Sequence, residues 1–192
     1  MQTLKIKQIN LKEIVKSIKQ GKVIICPTDT VYGLIADATN KKAVKKIFRI
    51  KKRSLKKPIP IFVKDLKQAK KLAKINEKQK KILKSIWPGK ATVVLVRKER
   101  KKLYGVDKKT IALRIPKYKI INDLLKKINK PLTGTSANIS GKPPSTEIKE
   151  VVRQFKNQKS RPDFIIDAGD LPKNKPSIVL DLRFSPPKIL RI

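Results

Sequence analysis

The sequence lacks histidine altogether and contains one cysteine, Cys26, in 192 residues. Without histidine the chain cannot form the Ser-His or Cys-His pairs on which much nucleophilic catalysis depends. A single cysteine forms no intramolecular disulfide, and the absence of histidine argues against zinc, so we expect no protein-bound metal. No apolar run approaches the roughly 20 residues that cross a bilayer, and residues 1–10 lack the apolar core of a signal peptide. These absences predict a cytosolic, cytoplasmic protein with no membrane segment.

Acidic residues are also scarce, since 14 Asp and Glu stand against 50 Lys and Arg, a formal net charge of +36. Such a surface binds polyanions with a steep dependence on salt. Nine of the basic residues are arginine, which leaves 41 lysines, and aromatic residues make up only 5% of the chain. Proteins that read nucleic acids rely more on arginine and aromatic rings, whereas a chain rich in lysine and isoleucine is typical of an AT-rich genome. Both origins of the charge stay open.

The chain has the size and the 39% hydrophobic content of one folded domain over residues 1–192. Apolar spacing predicts six helices, at residues 11–20, 41–50, 65–73, 77–86, 119–129 and 147–155. Short apolar runs predict eight strands, at residues 23–26, 59–63, 92–96, 111–115, 132–136, 164–167, 178–181 and 188–191. This alternation favours an α/β or α+β fold in which helices cover a sheet, and the late clustering of strands indicates that part of the sheet is antiparallel.

Familiar catalytic patterns are missing as well. The sequence contains neither a G-x-x-x-x-G-K-[ST] loop nor a G-x-G-x-x-G loop. No close pair of carboxylates stands out as an acid/base dyad. An enzyme with this inventory must work by positioning its substrates and by neutralising phosphate charge with cations, which suffices for phosphoryl or nucleotidyl transfer.

Two segments that follow predicted strands have the composition of ligand-binding loops. Residues 27–34, PTDTVYGL, bring two threonine hydroxyls, a phenol and a glycine to the edge of a sheet, which suits a small polar ligand. Residues 133–141, TGTSANISG, combine small residues that let a backbone approach a ligand with the hydrogen-bonding groups of Ser136 and Asn138. An ordinary turn is the alternative for both segments.

Two further segments are less informative by themselves. Residues 51–54, KKRS, end a predicted helix, where the helix dipole favours cations, so a solvated helix end is the simpler interpretation. Pro176 and Ser177 precede a predicted strand and indicate little alone. Neither segment defines a site without support from the rest of the chain.

Seven short pieces of the sequence, spread over nearly the whole chain, match the motifs of one family in order and spacing. They are PTDTVYGL (27–34), Lys51 with Arg53, WPG (87–89) with Thr92, ALRIP (112–116), TSAN (135–138) with Gly141, PSIVLD (176–181) and ILR (189–191). Together they resemble the YrdC-like threonylcarbamoyl-AMP synthase family in its short, single-domain form. The succession of PTDTVYGL, K-x-R and TSAN is highly specific, whereas each piece alone is weak.

The resemblance implies a YrdC-like fold, which is a twisted mixed parallel and antiparallel sheet flanked by helices, with a basic concave face. It implies that L-threonine, bicarbonate and ATP are joined into threonylcarbamoyl-AMP with release of pyrophosphate, and that Mg²⁺ accompanies the ATP. A separate threonylcarbamoyl transferase complex would then modify tRNA at the adenosine beside the anticodon, and direct contact with tRNA is open. We hypothesise that N-carboxylated threonine itself attacks the α-phosphate, so that the protein needs no nucleophile.

The resemblance also implies roles for individual residues. Lys51 and Arg53 are expected as the catalytic pair that holds the ATP phosphates, and the fork of Arg53 can also reach the threonine carboxylate. The other residues expected on the nucleotide side are Thr92, Ser136, Asn138, Ser145 and Arg191. The residues expected around the threonine and its carbamate are Thr28, Thr30, Tyr32, Arg114 and Ser177, together with Arg53.

Two other interpretations stay open on the sequence alone. One is a non-catalytic RNA-binding or ribosome-maturation protein of the same fold, and the other is a paralogue with weak or altered synthase activity. Lys51, Arg53, Ser136 and Asn138 favour the synthase, because an RNA clamp needs positive charge but not those four side chains.

Overall fold

The computed structural model describes residues 1–98 and 102–191. The α-helices in these ranges are Leu11–Lys19 (α1), Lys41–Lys51 (α2), Leu66–Leu72 (α3), Glu77–Ile86 (α4), Lys119–Ile128 (α5) and Ile148–Lys156 (α6). The strands are Gln2–Lys5 (β1), Ile24–Cys26 (β2), Gly33–Ile35 (β3), Ile61–Phe62 (β4), Ala91–Val96 (β5), Thr110–Arg114 (β6), Leu132–Thr133 (β7), Thr135–Ser136 (β8), Phe164–Asp167 (β9), Ile178–Asp181 (β10) and Lys188–Arg191 (β11). None of the helices in the described ranges has the length and apolar character needed to cross a membrane.

The strands form two sheets, and each contains parallel and antiparallel neighbours. The first sheet has the order β1-β9-β2-β3-β8, in which β9 is parallel to β1 and β2, and β3 is antiparallel to β2 and β8. The second has the order β11-β10-β5-β6-β4-β7, in which only the β10–β5 and β6–β4 pairs are parallel. The predicted mixed α/β architecture is confirmed, but the strands divide into two sheets instead of forming one.

Side-chain caps determine where several helices begin. Asn10, Asn40, Asp65 and Asn76 each accept a hydrogen bond from a backbone amide in the first turn of the helix that follows. Asn76 forms a complete capping box with Gln79, so α4 coincides with the helix predicted at residues 77–86. These four caps explain why the predicted starts of α1, α2, α3 and α4 agree closely with the structure.

Three apolar clusters hold the helices on the sheets. The first sheet is covered on both faces, because alternate residues of β2 enter different clusters. Ile25 packs in the cluster that contains α2 and α6, whereas Ile24 packs in the cluster that contains α1 and α5. The third cluster packs α3 and α4 against β5 and β6, where Leu83 and Val93 are fully buried.

The segment predicted as one strand at residues 132–136 is divided at Gly134. β7 pairs with β4 in the second sheet, whereas β8 pairs with β3 in the first, so the segment passes from one sheet to the other. A side chain at position 134 would collide with the Phe62 ring, which explains the glycine. Directly after β8, the amide of Ala137 donates to the carbonyl of Tyr32 at 2.7 Å. The crossing therefore brings the TSAN loop against the PTDTVYGL loop.

Candidate active site

A cavity of about 340 Å³ opens where the two sheets meet. Its lining combines apolar groups with hydroxyls, an amide and three guanidinium groups. The polar residues are Thr28, Thr30, Tyr32, Arg53, Arg114, Thr135, Ser136, Asn138, Ser177 and Arg191. The others are Val31, Gly33, Pro58, Pro60, Phe62, Gly134, Pro144 and Pro176.

The loop after β2 holds its threonine hydroxyls in place by local hydrogen bonds. Thr28 Oγ1 donates to the carbonyl of Val31 at 2.6 Å and accepts from the amide of Thr30 at 3.1 Å. The hydroxyls of Thr28 and Thr30 lie 3.1 Å apart. Both threonines are buried, so the loop presents its polar groups to the cavity in a fixed arrangement before any ligand binds.

Arg114, the last residue of β6, is 3% exposed and lines the cavity. Its Nε donates to the carbonyl of Gly89 at 2.9 Å, and its Nη2 donates to Asp29 Oδ1 at 2.7 Å. Nη1 donates to Thr30 Oγ1 at 3.3 Å, and Cζ lies 5.8 Å from the centroid of the Phe62 ring. These contacts fix the guanidinium from four directions.

A hydrogen-bonded chain connects the C-terminal strand to the cavity. Arg191 Nη2 donates to the carbonyl of Ser177 at 2.6 Å and to its hydroxyl at 3.2 Å. The Ser177 hydroxyl lies 2.9 Å from Thr92 Oγ1 on β5. Burial lowers the pKa of Arg191, but an arginine stays protonated under physiological conditions. This series of hydrogen bonds therefore holds the Arg191 guanidinium, a cation, in the lining of the cavity.

Arg53 follows the left-handed residue Lys52 at the end of α2. Its Nε donates to the carbonyl of Lys57 and its Nη2 to the carbonyl of Pro58, both at 2.9 Å. Among the described residues, no partner is found for Nη1. Burial lowers the pKa of Arg53, and the group still carries its charge. Arg53 is thus a partly anchored cation with a terminal nitrogen available to a ligand.

Lys51 points beneath the TSAN loop. Its ammonium donates to the carbonyl of Ser136 at 2.5 Å, to the carbonyl of Asn138 at 2.8 Å and to Asn138 Oδ1 at 3.0 Å. Ser136 Oγ also donates to Asn138 Oδ1, at 2.6 Å. Burial, and to a smaller extent the charge of Arg53, lowers the pKa of Lys51 to about 7. In this arrangement Lys51 fixes the loop that carries Ser136 and Asn138.

A second cavity of about 360 Å³ adjoins the first. The two share Arg53, Ser136 and Asn138. The second is otherwise lined by cationic and small residues, namely Lys51, Lys52, Ser54, Lys57, Ser140 and Gly141. Two joined cavities with an arginine between them suit two ligands, of which one is a polyanion and the other is a smaller acid.

A sequence model of the Sua5/YciO/YrdC family, described as telomere recombination, matches residues 16–192. A curated relative from Methanocaldococcus jannaschii is 39% identical over 176 residues, which cover 90% of this chain and 80% of the relative. A threonylcarbamoyl-AMP synthase of Pyrococcus abyssi is 38% identical over 178 residues, which cover 91% of this chain and 51% of the relative. The chain belongs to the Sua5/YciO/YrdC family.

A solved structure of the Sua5/YciO/YrdC family agrees with this assignment. Pyrococcus abyssi Sua5 complexed with L-threonine matches this fold with a TM-score of 0.85 at 34% identity, over 99% of this chain and 56% of that one. The chain thus spans about half of the length of its Pyrococcus relative. The YrdC-like fold that the motifs predict is confirmed.

Nine of the residues that the Sua5/YciO/YrdC motifs predict line the first cavity. They are Thr28, Thr30, Tyr32, Arg53, Arg114, Ser136, Asn138, Ser177 and Arg191. Three others lie outside its lining. Lys51 lines the second cavity, Thr92 is buried behind Ser177, and half-buried Ser145 accepts the amide of Glu147 on its Oγ at 2.9 Å. The roles expected of all twelve stay predictions.

Tyr32 lines the cavity, but its hydroxyl is engaged elsewhere. It donates to the carbonyl of Gly169 at 2.6 Å and accepts the amide of Ala168 at 3.1 Å. Burial raises the pKa of Tyr32 to about 12, although the Ala168 hydrogen bond lowers it. The phenol therefore anchors the loop after β2 to the turn after β9, and its hydroxyl is already engaged there.

Sequence reasoning missed Asp29 and the apolar part of the lining. Asp29 is counted only as one of the chain's few acids, because a single carboxylate in a loop does not reveal its partner. Phe62 and the prolines at positions 58, 60 and 144 carry no polar signal. The one available clue was their proximity to Lys51, Arg53 and the TSAN loop along the chain.

Proposed function

We propose that this protein is a threonylcarbamoyl-AMP synthase, which joins L-threonine, bicarbonate and ATP into threonylcarbamoyl-AMP and pyrophosphate. The observation that supports it most directly is the lining of the first cavity, where Arg53, Arg114 and Arg191 meet hydroxyl groups. Membership of the Sua5/YciO/YrdC family adds to this, because curated relatives across archaea and bacteria carry that activity in their names. These findings do not favour the alternative of a non-catalytic RNA-binding protein.

The two cavities suggest how the substrates are divided. In the proposed arrangement, threonine and its carbamate occupy the first cavity, beside Thr28, Arg114 and Ser177. The Pyrococcus relative was solved with L-threonine bound, which supports a threonine site in this fold. The ATP phosphates extend past Arg53 toward the second cavity, where Lys52 and Lys57 add positive charge. In this arrangement Arg53 lies between the phosphates and the amino acid, because it lines both cavities.

The reaction requires charge neutralisation more than a protein nucleophile. The threonine amine attacks bicarbonate carbon and water leaves, which gives the N-carboxylate. A carbamate oxygen then attacks the α-phosphorus in line, and the bond to the bridging oxygen breaks as pyrophosphate leaves. Arg53, at the junction of the cavities, is placed to stabilise charge on the phosphates. The two substrates supply both reacting groups, so positioning is the protein's main contribution.

Magnesium is proposed to enter with the nucleotide. In the described part of the chain, no group of three or more His, Cys, Asp and Glu is arranged to hold a metal ion. Asp29, the carboxylate beside Arg114, is already ion-paired. The donor set thus does not fit a resident cation, and Mg²⁺ would be carried by the phosphate oxygens of ATP as part of the substrate.

The wider context is proposed on the same basis. The product would pass to a threonylcarbamoyl transferase complex that modifies tRNA, in the cytoplasm. The basic composition is compatible with direct tRNA contact.

Incubation with ATP, Mg²⁺, bicarbonate and L-threonine tests the proposal, with threonylcarbamoyl-AMP and pyrophosphate both measured. We expect product only when threonine and bicarbonate are present, and less product with serine. Arg53→Ala should reduce the rate roughly 10- to 100-fold, because a charge-assisted contact to phosphate is lost. Arg153→Ala, which removes an exposed arginine on α6, is the matched control. A protein that binds RNA but forms no product would refute the synthase assignment.

A further inference from the structure

Asp29 joins the loop after β2 to the end of β6 through both of its carboxylate oxygens. Oδ1 accepts from Arg114 Nη2 at 2.7 Å, and Oδ2 accepts from the backbone amide of Lys117 at 3.0 Å. The side chains of the ion pair are buried, with 4% of Arg114 and 8% of Asp29 exposed. Asp29 is therefore held by the protein, and its carboxylate is occupied before a substrate arrives.

The contacts of Arg114 leave a defined part of its guanidinium for a ligand. A guanidinium carries five N–H hydrogens, and three of those on Arg114 go to Gly89, Thr30 and Asp29. Each terminal nitrogen keeps one hydrogen, and Arg114 lines the cavity. Two N–H groups on one planar cation match the two oxygens of a carboxylate.

Asp29 also balances the charge around Arg114. Burial lowers the pKa of Arg114, and the nearby charge of Arg191 lowers it as well, whereas Asp29 raises it. Without Asp29, a buried guanidinium would lie close to another cation with no opposite charge bound to it. One of the four contacts that fix the guanidinium would be lost, so the directions of its two remaining N–H groups would be set only by Gly89, Thr30 and Phe62.

We propose that Asp29 is a positioning residue for amino-acid recognition, which holds Arg114 so that its two remaining N–H groups meet the threonine carboxylate. The inference rests on the proposed function, because it takes threonine as the ligand of the first cavity. Asp29 touches no substrate in this arrangement and acts only through Arg114.

Asp29→Asn tests the proposal, because it keeps the shape of the side chain and removes its charge. We expect the KM for threonine to rise about 10- to 100-fold, as for loss of a charge-assisted hydrogen bond. The KM for ATP and kcat should change less than about threefold, since Arg53 and the second cavity are untouched. Equal increases in the KM for threonine and for ATP would overturn the proposal, because a general loss of structure has that effect.

Asp37→Asn is the matched control for burial and charge. Asp37 is 1% exposed, pairs with Lys130 at 2.9 Å, and is absent from the described lining of the first cavity. This variant should lose stability without a selective rise in the KM for threonine. If Asp29→Asn does not fold, Asp29→Glu keeps the charge but displaces it, and the same selective rise in the KM for threonine is expected.

A double-mutant cycle distinguishes whether Asp29 affects threonine binding through Arg114 or by direct contact with threonine. Threonine dissociation constants are measured by calorimetry, without ATP, for the wild type, Asp29→Asn, Arg114→Lys and the double variant. We expect Asp29→Asn to weaken binding less than about twofold once Arg114 is replaced. Independent losses that multiply would overturn the proposal. Wild-type binding of threonine without product formation would refute only the proposed function, and absence of threonine binding would refute both.

Discussion

At the scale of single residues, Lys51 shows burial and hydrogen bonding acting in opposite directions. Three acceptors lie within 3.0 Å of its ammonium, and they favour the charged form. Burial opposes this and lowers the pKa to about 7, with a smaller contribution from Arg53. The protonation state of Lys51 therefore affects the TSAN loop directly, since a neutral amine can donate only two hydrogen bonds.

Lys51 gives a prediction on the pH dependence of stability. With a pKa of about 7 in the folded protein and an ordinary value of 10.5, Lys51 binds more protons in the unfolded chain across that window. Its contribution to stability therefore rises with pH above about 7 and is least favourable below it. We expect the wild type to gain stability relative to Lys51→Met between about pH 6.5 and 9 in urea unfolding. A pH-independent difference would show that the three hydrogen bonds keep the pKa at its ordinary value.

Gly134 gives a prediction on packing. A methyl group at this position would collide with the Phe62 ring, which in turn lies under Arg114. Gly134→Ala should lower the free energy of unfolding by about 1–3 kcal/mol, as overpacking does, and should raise the KM for threonine. Phe62→Leu in the same chain should recover part of both losses. Equal effects of Gly134→Ala in the presence and absence of Phe62 would contradict this explanation.

Single residues of the site could be predicted where a motif or a polar side chain marked them. Arg53, Ser136 and Asn138 were recognised in this way, and all three line the cavity. Phe62 carries no polar signal, and Asp29, although it lies within the PTDTVYGL motif, was not assigned a role, because its contribution depends on a partner that lies far along the chain. Asp29 meets Arg114 across 85 positions, and nothing in the local sequence of either indicates that contact.

At the scale of elements, the N-terminus of α4 is set by the Asn76 capping box. Asn76→Ala should lower the free energy of unfolding by about 1 kcal/mol, the usual effect of losing an N-cap. Synthase activity should not change, because α4 supplies none of the described residues that line the first cavity. Asn76→Ser retains a cap and is the control, with denaturant unfolding and product formation measured for both. If Asn76→Ala loses activity under conditions where it is fully folded, the prediction that this cap affects stability and not activity is wrong.

The helices could be predicted from sequence because their apolar faces are local, and so are the side-chain caps of α1, α2, α3 and α4. Two strands could not. β1 is mostly exposed and pairs with β9 through its backbone, so its side chains show no buried alternation. β3 has only three residues, and its first two belong to the PTDTVYGL motif. The polar residues of that motif indicate a loop and hide the apolar pattern of a strand. The sequence also did not reveal the change of sheet at Gly134. The residues before and after it are both extended, so the segment has the pattern of one continuous strand.

At the scale of the whole molecule, the net charge of +36 separates two kinds of binding. Contact with tRNA that neutralises about six phosphates should weaken roughly 10³-fold between about 50 and 200 mM salt. Threonine and ATP binding in the cavities should fall far less, because those contacts are few and partly shielded from solvent. Filter binding of tRNA and calorimetry of threonine across the same salt series measure the two. Equal losses of tRNA affinity and threonine affinity with rising salt would contradict this prediction.

The passage of residues 132–136 between the sheets has a consequence for how the protein comes apart. Three separate apolar clusters could in principle melt in stages. However, β7 and β8 are the edge strands of different sheets and are joined directly through Gly134. Neither strand can therefore leave its sheet without disturbing the pairing of the other. Residues 134–136 of this segment also line the first cavity. We therefore expect unfolding to be a single calorimetric transition. An enzyme with this construction loses its cavity and its fold in the same event.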